Sequence, residues 1–331
     1  MPLKDILNGL GAIWRAWSWF WFRPISAKGT GIMRILLGLM LLMTSIDVFA
    51  DLEILIGPNG IFAEGASKRG MRLSRWTYFD QIGTLQGMQI AHGLGLLCNI
   101  LFMVGFKTRT TGILSLLANV ALYQRNSWFM NGGDRLVREM TFYLCLVPCG
   151  AAFSVDSWLR DRKLFRTGQR IIKSPKIPIL AMRLIQIQIA AVYFFSGIAK
   201  WDSGSWHRGS ALYYSLSTNN YARSDWLVAP FLDGRWGYDL TQVGTAVTLY
   251  WEVWFWLLVL WRPTRWLALV VGVLMHAGTH IFLMVAYFSS ISVWAYFSYL
   301  PYDWVERLTR WRAIRKARNS GRRRMMVEPS G

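Results

Sequence analysis

Lys200 closes an apolar stretch running from Ile179 to Trp201, and it is the residue whose placement most suggests chemistry. An amine kept short of water at the mouth of a membrane helix bundle is a candidate general base. The alternative is a side chain that snorkels to the interface and does nothing further. Ser196 and Gly197 stand about one helical turn earlier on roughly the same face, where small residues let a neighbouring helix or a flat ligand approach. Asp202, two positions on, faces away in a continuous helix and suits capping or anchoring of the loop that follows. His276 and His280 are four residues apart and share a helix face, the spacing of paired metal ligands or of two acid/base groups. No cysteine lies near them and no glutamate stands between them in metalloprotease spacing. Hydrogen-bonding or acid/base roles are therefore favoured and no metal is expected, with interface histidines held by aromatic neighbours as the structural alternative. Glu252 lies among Trp251, Trp254 and Trp256, where a carboxylate must be paired or protonated, and Arg125 or His92 is the expected partner.

These residues need a membrane scaffold to position them. The chain has 331 residues, 53% of them hydrophobic, and a positive mean hydropathy, a balance that excludes an ordinary water-soluble domain. Eight stretches have roughly the 17 to 25 residues needed to cross the hydrocarbon as helix. They run about Gly31–Ala50, Ile82–Phe106, Thr110–Phe129, Val137–Phe153, Ile179–Trp201, Leu240–Trp261, Trp266–Phe282 and Leu283–Leu300. The fold class expected is thus all-α, a polytopic membrane helix bundle of about eight transmembrane helices. Trp14, Trp17, Trp19 and Trp21 among scattered basic residues make 1–29 an interfacial amphipathic segment rather than a cleaved signal. A transmembrane domain over 30–301 and a basic tail over 302–331 complete the organisation.

With an inner N-terminus, the inner segments carry more than twice as many Lys and Arg as the outer ones, with the largest clusters at Arg160–Lys176 and Arg307–Arg324. That bias predicts a multi-pass inner, or plasma, membrane protein of bacterial type with both termini cytoplasmic. It also assigns the net charge of +19 to the bilayer surface, so no nucleic-acid partner is expected. Cys98, Cys145 and Cys149 fall inside proposed spans and read as reduced packing residues. Arg160–Lys176 reads as a connector between two sets of four spans. Two outer segments, Asp51–Gln81 and Asp202–Asp239, are longer than connection requires. Within the second, Trp206–Tyr214 suits a short amphipathic helix dipping back toward the membrane.

Under this topology Asp47, His92, Arg125, Asn126, Asp134, Lys200, Asp202, His276 and His280 gather in the outer half or at the outer mouth, with Glu252 near mid-depth. Polar groups at membrane depth mark sites by default. Lys200, His276 and His280 are the candidate catalytic residues. Arg125, Asn126, Asp134, Ser196, Gly197, Asp202 and Glu252 are the candidate substrate-binding residues.

Several short strings, in this order, resemble the HTTM domain, the membrane unit shared with vitamin K-dependent gamma-carboxylase. They are Arg34-Ile-Leu-Leu-Gly38, Gly57-Pro-Asn-Gly60, Asn131-Gly-Gly-Asp134, Phe153-Ser-Val-Asp156, Tyr193-Phe-Phe-Ser-Gly-Ile-Ala-Lys200 followed by Trp206 and Gly209, and the stretch from His276 to Phe288-Ser289. The resemblance covers nearly the whole chain. It implies that Lys200 matches the lysine that deprotonates vitamin K hydroquinone in the carboxylases. There oxygen then adds, and the strong base so formed removes a glutamate gamma-proton to which carbon dioxide attaches.

The chain departs from that pattern in three places. Ala199 precedes the lysine where animal carboxylases often have a second one, and Asn131-Gly-Gly-Asp134 replaces a histidine-containing segment. The sequence also ends about 30 residues past the last span, so the large substrate-gripping soluble domain is expected to be absent. The resemblance implies an enzyme using vitamin K hydroquinone or a related quinol, with a quinone-like lipid and the bilayer as partners. Small bacterial members include one needed to mature an exported peptide toxin, so an exported peptide or a small soluble protein is the partner under a non-enzymatic alternative. A lipid or solute carrier is disfavoured because the polar groups lie on one side.

Overall fold

Pro24 has no amide hydrogen with which to continue a helix, and it marks the junction where the first helix stops. The computed structural model describes residues 3–61, 77–126, 130–169, 175–218, 221–285, 287–308 and 311. Helix α1 (Leu3–Phe22) gives way to strand β1 (Pro24–Ser26), which pairs antiparallel with β2 (Lys176–Pro178), Ile25 opposite Ile177. Ser26 then caps α2 (Ala27–Ala50) by accepting the Lys28 N–H. The amphipathic first helix is thereby tied to the segment that leads into the lysine-bearing helix.

The chain continues through α3 (Leu52–Ile56), a 3₁₀ turn (Tyr78–Gln81), α4 (Leu85–Val104), α5 (Thr108–Arg125), α6 (Gly132–Cys145) and α7 (Val155–Arg166). After β2 come α8 (Leu180–Trp201), the short helices α9 (Gly204–His207), α10 (Ala211–Ser217) and α11 (Asp225–Leu232), then α12 (Arg235–Leu258), α13 (Arg262–Phe282) and α14 (Phe288–Ala295), which a 3₁₀ turn prolongs over Tyr296–Tyr299. The described architecture is all-helical apart from the two three-residue strands. Four of its helices, α2, α4, α8 and α13, are long and apolar enough to cross a membrane.

The other expected spans take different forms. Thr110–Phe129 becomes α5, which ends at Arg125, with Phe129 itself outside the described residues. Val137–Phe153 becomes the 14-residue α6 followed by turns, and Leu240–Trp261 becomes α12. Leu283–Leu300 is not one helix. Its start is held extended, Leu283 bridging Ala222 and Met284 donating its N–H to the Tyr221 carbonyl at 2.7 Å, so the helix begins only at Phe288. The expected connector Arg160–Lys176 is helical as far as Arg166. Ser154 and Ser157 form a reciprocal capping box at the start of α7, and Lys163 and Arg166 suit the negative end of its dipole. Residues 170–174 of that connector, 62–76 in the first long outer segment, and the basic tail beyond Trp311 lie outside the described residues.

The main core joins α2, α6, α8, α12, α13 and α14 around Met33, Leu37, Met140, Ile189, Tyr193 and Phe255. Bulky residues point outward instead on the opposite faces, Leu274 of α13 being 67% exposed and Leu94 of α4 58%, as lipid-facing surfaces require. Two glycines set helix separations. A Cβ at Gly38 would stand 2.7 Å from the Cα of Met103, and one at Gly31 2.6 Å from the Ala152 carbonyl oxygen. Between them the fully buried Arg34 donates to the carbonyls of Met103 (3.4 Å), Cys149 (3.0 Å), Ala152 (3.3 Å) and Phe153. One guanidinium thus satisfies chain ends from α4 and the α6–α7 link at once. Cys98, Cys145 and Cys149 are all free thiols.

Candidate functional site

Lys200 sits in the last turn of α8, and α12 packs along that helix more extensively than any other element. Gly197 makes the approach possible, since a Cβ there would come within 2.8 Å of the Val253 backbone nitrogen. The small residue therefore admits a helix, one of the two uses its size allows. Across this contact the Lys200 ammonium donates to Glu252 Oε2 at 2.5 Å and to Ser196 Oγ at 2.6 Å. The lysine side chain is 23% exposed and the carboxylate 9%. Trp206 of α9 places its ring centroid 5.1 Å from the ammonium. The loop after α8 does fold back on the lysine, as two short helices, α9 and α10, broken where Gly209 adopts φ +73°.

The partner of Glu252 is therefore Lys200, not Arg125 or His92 as the sequence suggested. Arg125 is buried 2.8 Å from the Asp80 carboxylate and donates to the Ile56 carbonyl at 3.2 Å. Asn126 donates to the Leu55 carbonyl at 2.8 Å. Both hold the end of α5 to α3 and the turn at Asp80. His92 hydrogen-bonds the Ser45 carbonyl at 2.8 Å, joining α4 to α2.

A second polar layer lies two turns back along α8. The Tyr193 hydroxyl meets His276 Nε2 at 2.7 Å and the Tyr296 hydroxyl at 2.7 Å, so α8, α13 and the turn after α14 converge on one oxygen. Trp251 and Phe255 of α12 stack edgewise on the Tyr193 ring. His276 is buried within Coulombic reach of Lys200, as Tyr193 is of Glu252. His280, one turn on, is exposed and stands apart from this layer. Asp202 is likewise exposed, its backbone N–H closing the last turn of α8 on the Ile198 carbonyl.

Asp134 belongs to another group. It forms a capping box with Asn131 at the start of α6, where Gly133 lies so close to α14 that a Cβ would be 2.9 Å from the Phe288 backbone. Tyr287, the preceding residue, donates to the Asp47 carboxylate at 2.5 Å. The glycine pair thus locks α6 against the chain that leads to Tyr296.

Tyr193, Tyr296 and Trp206 carry the site and had no assigned role from sequence. Tyr193 had a usable signal, being seven residues before Lys200 and so on the same helix face. Tyr296 had none, because only the turn after α14 aims it inward.

Among the described residues, Lys200 lines neither of two well-formed cavities. A cavity of about 1210 Å³ opens instead along the Arg183 half of α8. At the Lys200 end the arrangement offers an amine and a carboxylate that can exchange a proton, beneath an indole face, with an imidazole–hydroxyl–hydroxyl chain centred on Tyr193 behind them. Among the described residues no group of three His, Cys, Asp or Glu side chains could hold a metal ion.

Two comparisons with known proteins bear on this arrangement. The uncharacterized protein YitO of Bacillus subtilis (strain 168) is 24% identical over 221 residues, an alignment that covers 62% of this chain and 64% of that protein. The chain thus spans just under two thirds of that relative's length. No solved structure matches. The HTTM domain profile matches residues 22–304, which takes in both polar layers, the Arg34 hub and the Asn131–Asp134 cap. The chain therefore belongs to the HTTM domain family, membrane proteins related to the vitamin K-dependent carboxylases.

Proposed function

We propose that this protein is an integral-membrane enzyme that uses vitamin K hydroquinone or a related quinol to drive oxidation or carboxylation of a substrate at the extracytoplasmic side, with Lys200 as its base. The observation that carries this reading is the Lys200–Glu252 pair, a base and a proton acceptor 2.5 Å apart at the mouth of the bundle. The groups present fit a quinol: an amine, a carboxylate and the Ser196 hydroxyl can receive phenolic hydroxyls, and Trp206 offers a ring to stack against. A quinol, when bound, supplies two electrons and two hydroxyl protons. Glu252 Oε2 takes a proton from the Lys200 ammonium, and the free amine then accepts a proton from a hydroxyl beside it. Tyr193 and His276 lie one layer deeper, within Coulombic reach of Glu252 and Lys200 respectively. In this reading α5, α6, α12 and the α14 segment complete an eight-pass inner-membrane bundle with both termini cytoplasmic.

The test is Lys200→Ala in purified, correctly inserted protein, with quinol-dependent oxygen consumption as the readout. Activity is expected to fall to background, and an unchanged rate would remove the mechanism.

A second reading, a non-enzymatic partner in maturation or export of a secreted peptide, draws on the exposed aromatics of the segment after Lys200. Trp226 is 78% and Trp236 60% exposed there. On that reading Lys200→Met behaves as wild type, while replacing Trp226 and Trp236 abolishes capture of the peptide or soluble partner.

A further inference from the structure

The cavity of about 1210 Å³ has no part in the chemistry above, and its lining divides into two zones. One rim carries Arg23, Lys176, Arg183, Arg262, Arg265 and Arg307. The carboxylate in the lining, Asp303, is already bonded to Arg307 at 2.7 Å. Arg23, Arg183 and Arg265 all line this cavity, and the charges of Arg23 and Arg265 both act on Arg183. The Nε atoms of Arg23 and Arg183 are buried without a hydrogen-bond partner in the structure. Stacking explains the posture of Arg23 and Arg183 without pairing their Nε hydrogens: Arg23 lies 4.4 Å over the Trp19 ring and Arg183 4.6 Å over Phe20, both of α1. Arg183 Nη1 donates to Gln186 Oε1 at 3.0 Å, and Arg265 is set in place by donating Nε and Nη2 to the carbonyls of Val259 (2.8 Å) and Leu260 (3.4 Å).

The second zone is a wall of Ile187, Ala190, Ala191, Phe194 and Phe195, climbing α8 away from the rim, with Trp256 of α12 beside them. From Arg183 at the rim to Phe195 the helix rises about 18 Å, slightly more than one leaflet of the roughly 30 Å hydrocarbon layer. Ile187 is 49% and Phe195 69% exposed, so the groove is open to lipid along its length. A cluster of cations at the headgroup level, continued by an apolar channel one leaflet deep, is complementary to a single class of occupant. A soluble phosphate would leave the channel empty, and a zwitterionic lipid would bring its own cation against three guanidiniums.

We propose that this groove is a binding site for an anionic phospholipid, its phosphate held by Arg23, Arg183 and Arg265 and one acyl chain lying along Ala190, Ala191 and Phe194. The site is independent of the chemistry proposed for Lys200, at the other end of the same helix. It places a lipid between α1 and the bundle, where it stiffens the β1–β2 junction that ties them together.

The experiment is native mass spectrometry of the full-length protein released from detergent, with phosphatidylglycerol and phosphatidylcholine of identical chains as probes. Phosphatidylglycerol is expected to be retained in preference, and Arg183→Gln with Arg265→Gln should lower its occupancy about tenfold while leaving phosphatidylcholine unchanged. Ala190→Trp, which fills the channel and keeps every charge, should also displace it. If the double variant fails to insert, wild-type protein still decides: raising salt must erode the preference for the anionic lipid. Equal retention of both lipids by wild type overturns the proposal. So does displacement of phosphatidylglycerol by millimolar inorganic phosphate, which would mark a soluble-anion site.

Discussion

Lys200 and Glu252 form an ion pair across the one place where α8 and α12 come close enough for Gly197 to be obligatory. The pair and the helix contact are therefore one structural unit: moving the helices apart unmakes the site.

Breaking the pair from one side leaves a charge in a poorly hydrated place, a loss of about 2–4 kcal/mol for Lys200→Met given that the amine keeps some exposure. Lys200→Met with Glu252→Leu should recover most of that stability and none of the activity. Thermal unfolding in detergent, run as a double-mutant cycle, separates the two effects.

Gly197→Leu cannot be accommodated where a Cβ alone would lie 2.8 Å from the Val253 nitrogen. Gly197→Ala is expected to cost about 1–3 kcal/mol and to reduce turnover, because the helices must separate by a few tenths of an ångström or more. Equal stability and rate in the alanine variant would show that the contact is looser than the backbone indicates.

Tyr193→Phe removes one oxygen and orphans two partners, His276 Nε2 and the Tyr296 hydroxyl. The expected loss is about 1–3 kcal/mol, with an altered pH–rate profile. His280→Gln, in an exposed position, should leave both stability and profile as they are.

Asp156 supplies a pH dependence away from the site. It accepts from the Lys107 N–H, the Thr108 N–H and the Thr108 hydroxyl at 2.8, 2.8 and 2.6 Å, holding the start of α5. Burial would push its carboxyl up, but these donors, with Arg34 nearby, bring it below the usual range. A depressed folded-state value means that its stabilisation is complete above the unfolded value of about 3.9 and disappears as pH falls through the folded one. Asp156→Asn should flatten the acid limb of a stability–pH curve and cost about 0.5–2 kcal/mol at neutral pH.

Much of the scaffold was legible along the chain, because runs of apolar residues are chosen by the bilayer itself and helix period is local. The four apolar spanning helices and the singling out of Lys200 and Glu252 follow from residue types and spacing. What joins them does not. A 3.6-residue period tells which side chains share a face of α8, but not which face of α12 meets it; that depends on where small residues such as Gly38, Gly133 and Gly197 allow backbones to touch. Hence Glu252 found Lys200 rather than Arg125, His276 was taken into the Tyr193 layer while His280 was left outside, and Tyr296 reached the site from a turn. The sequence alone determined a family, a membrane habitat and a short roster of polar residues. Tertiary packing decided their pairing, because the nearest neighbour of a buried charge is fixed by helix rotation and register, quantities that no stretch of a single helix contains.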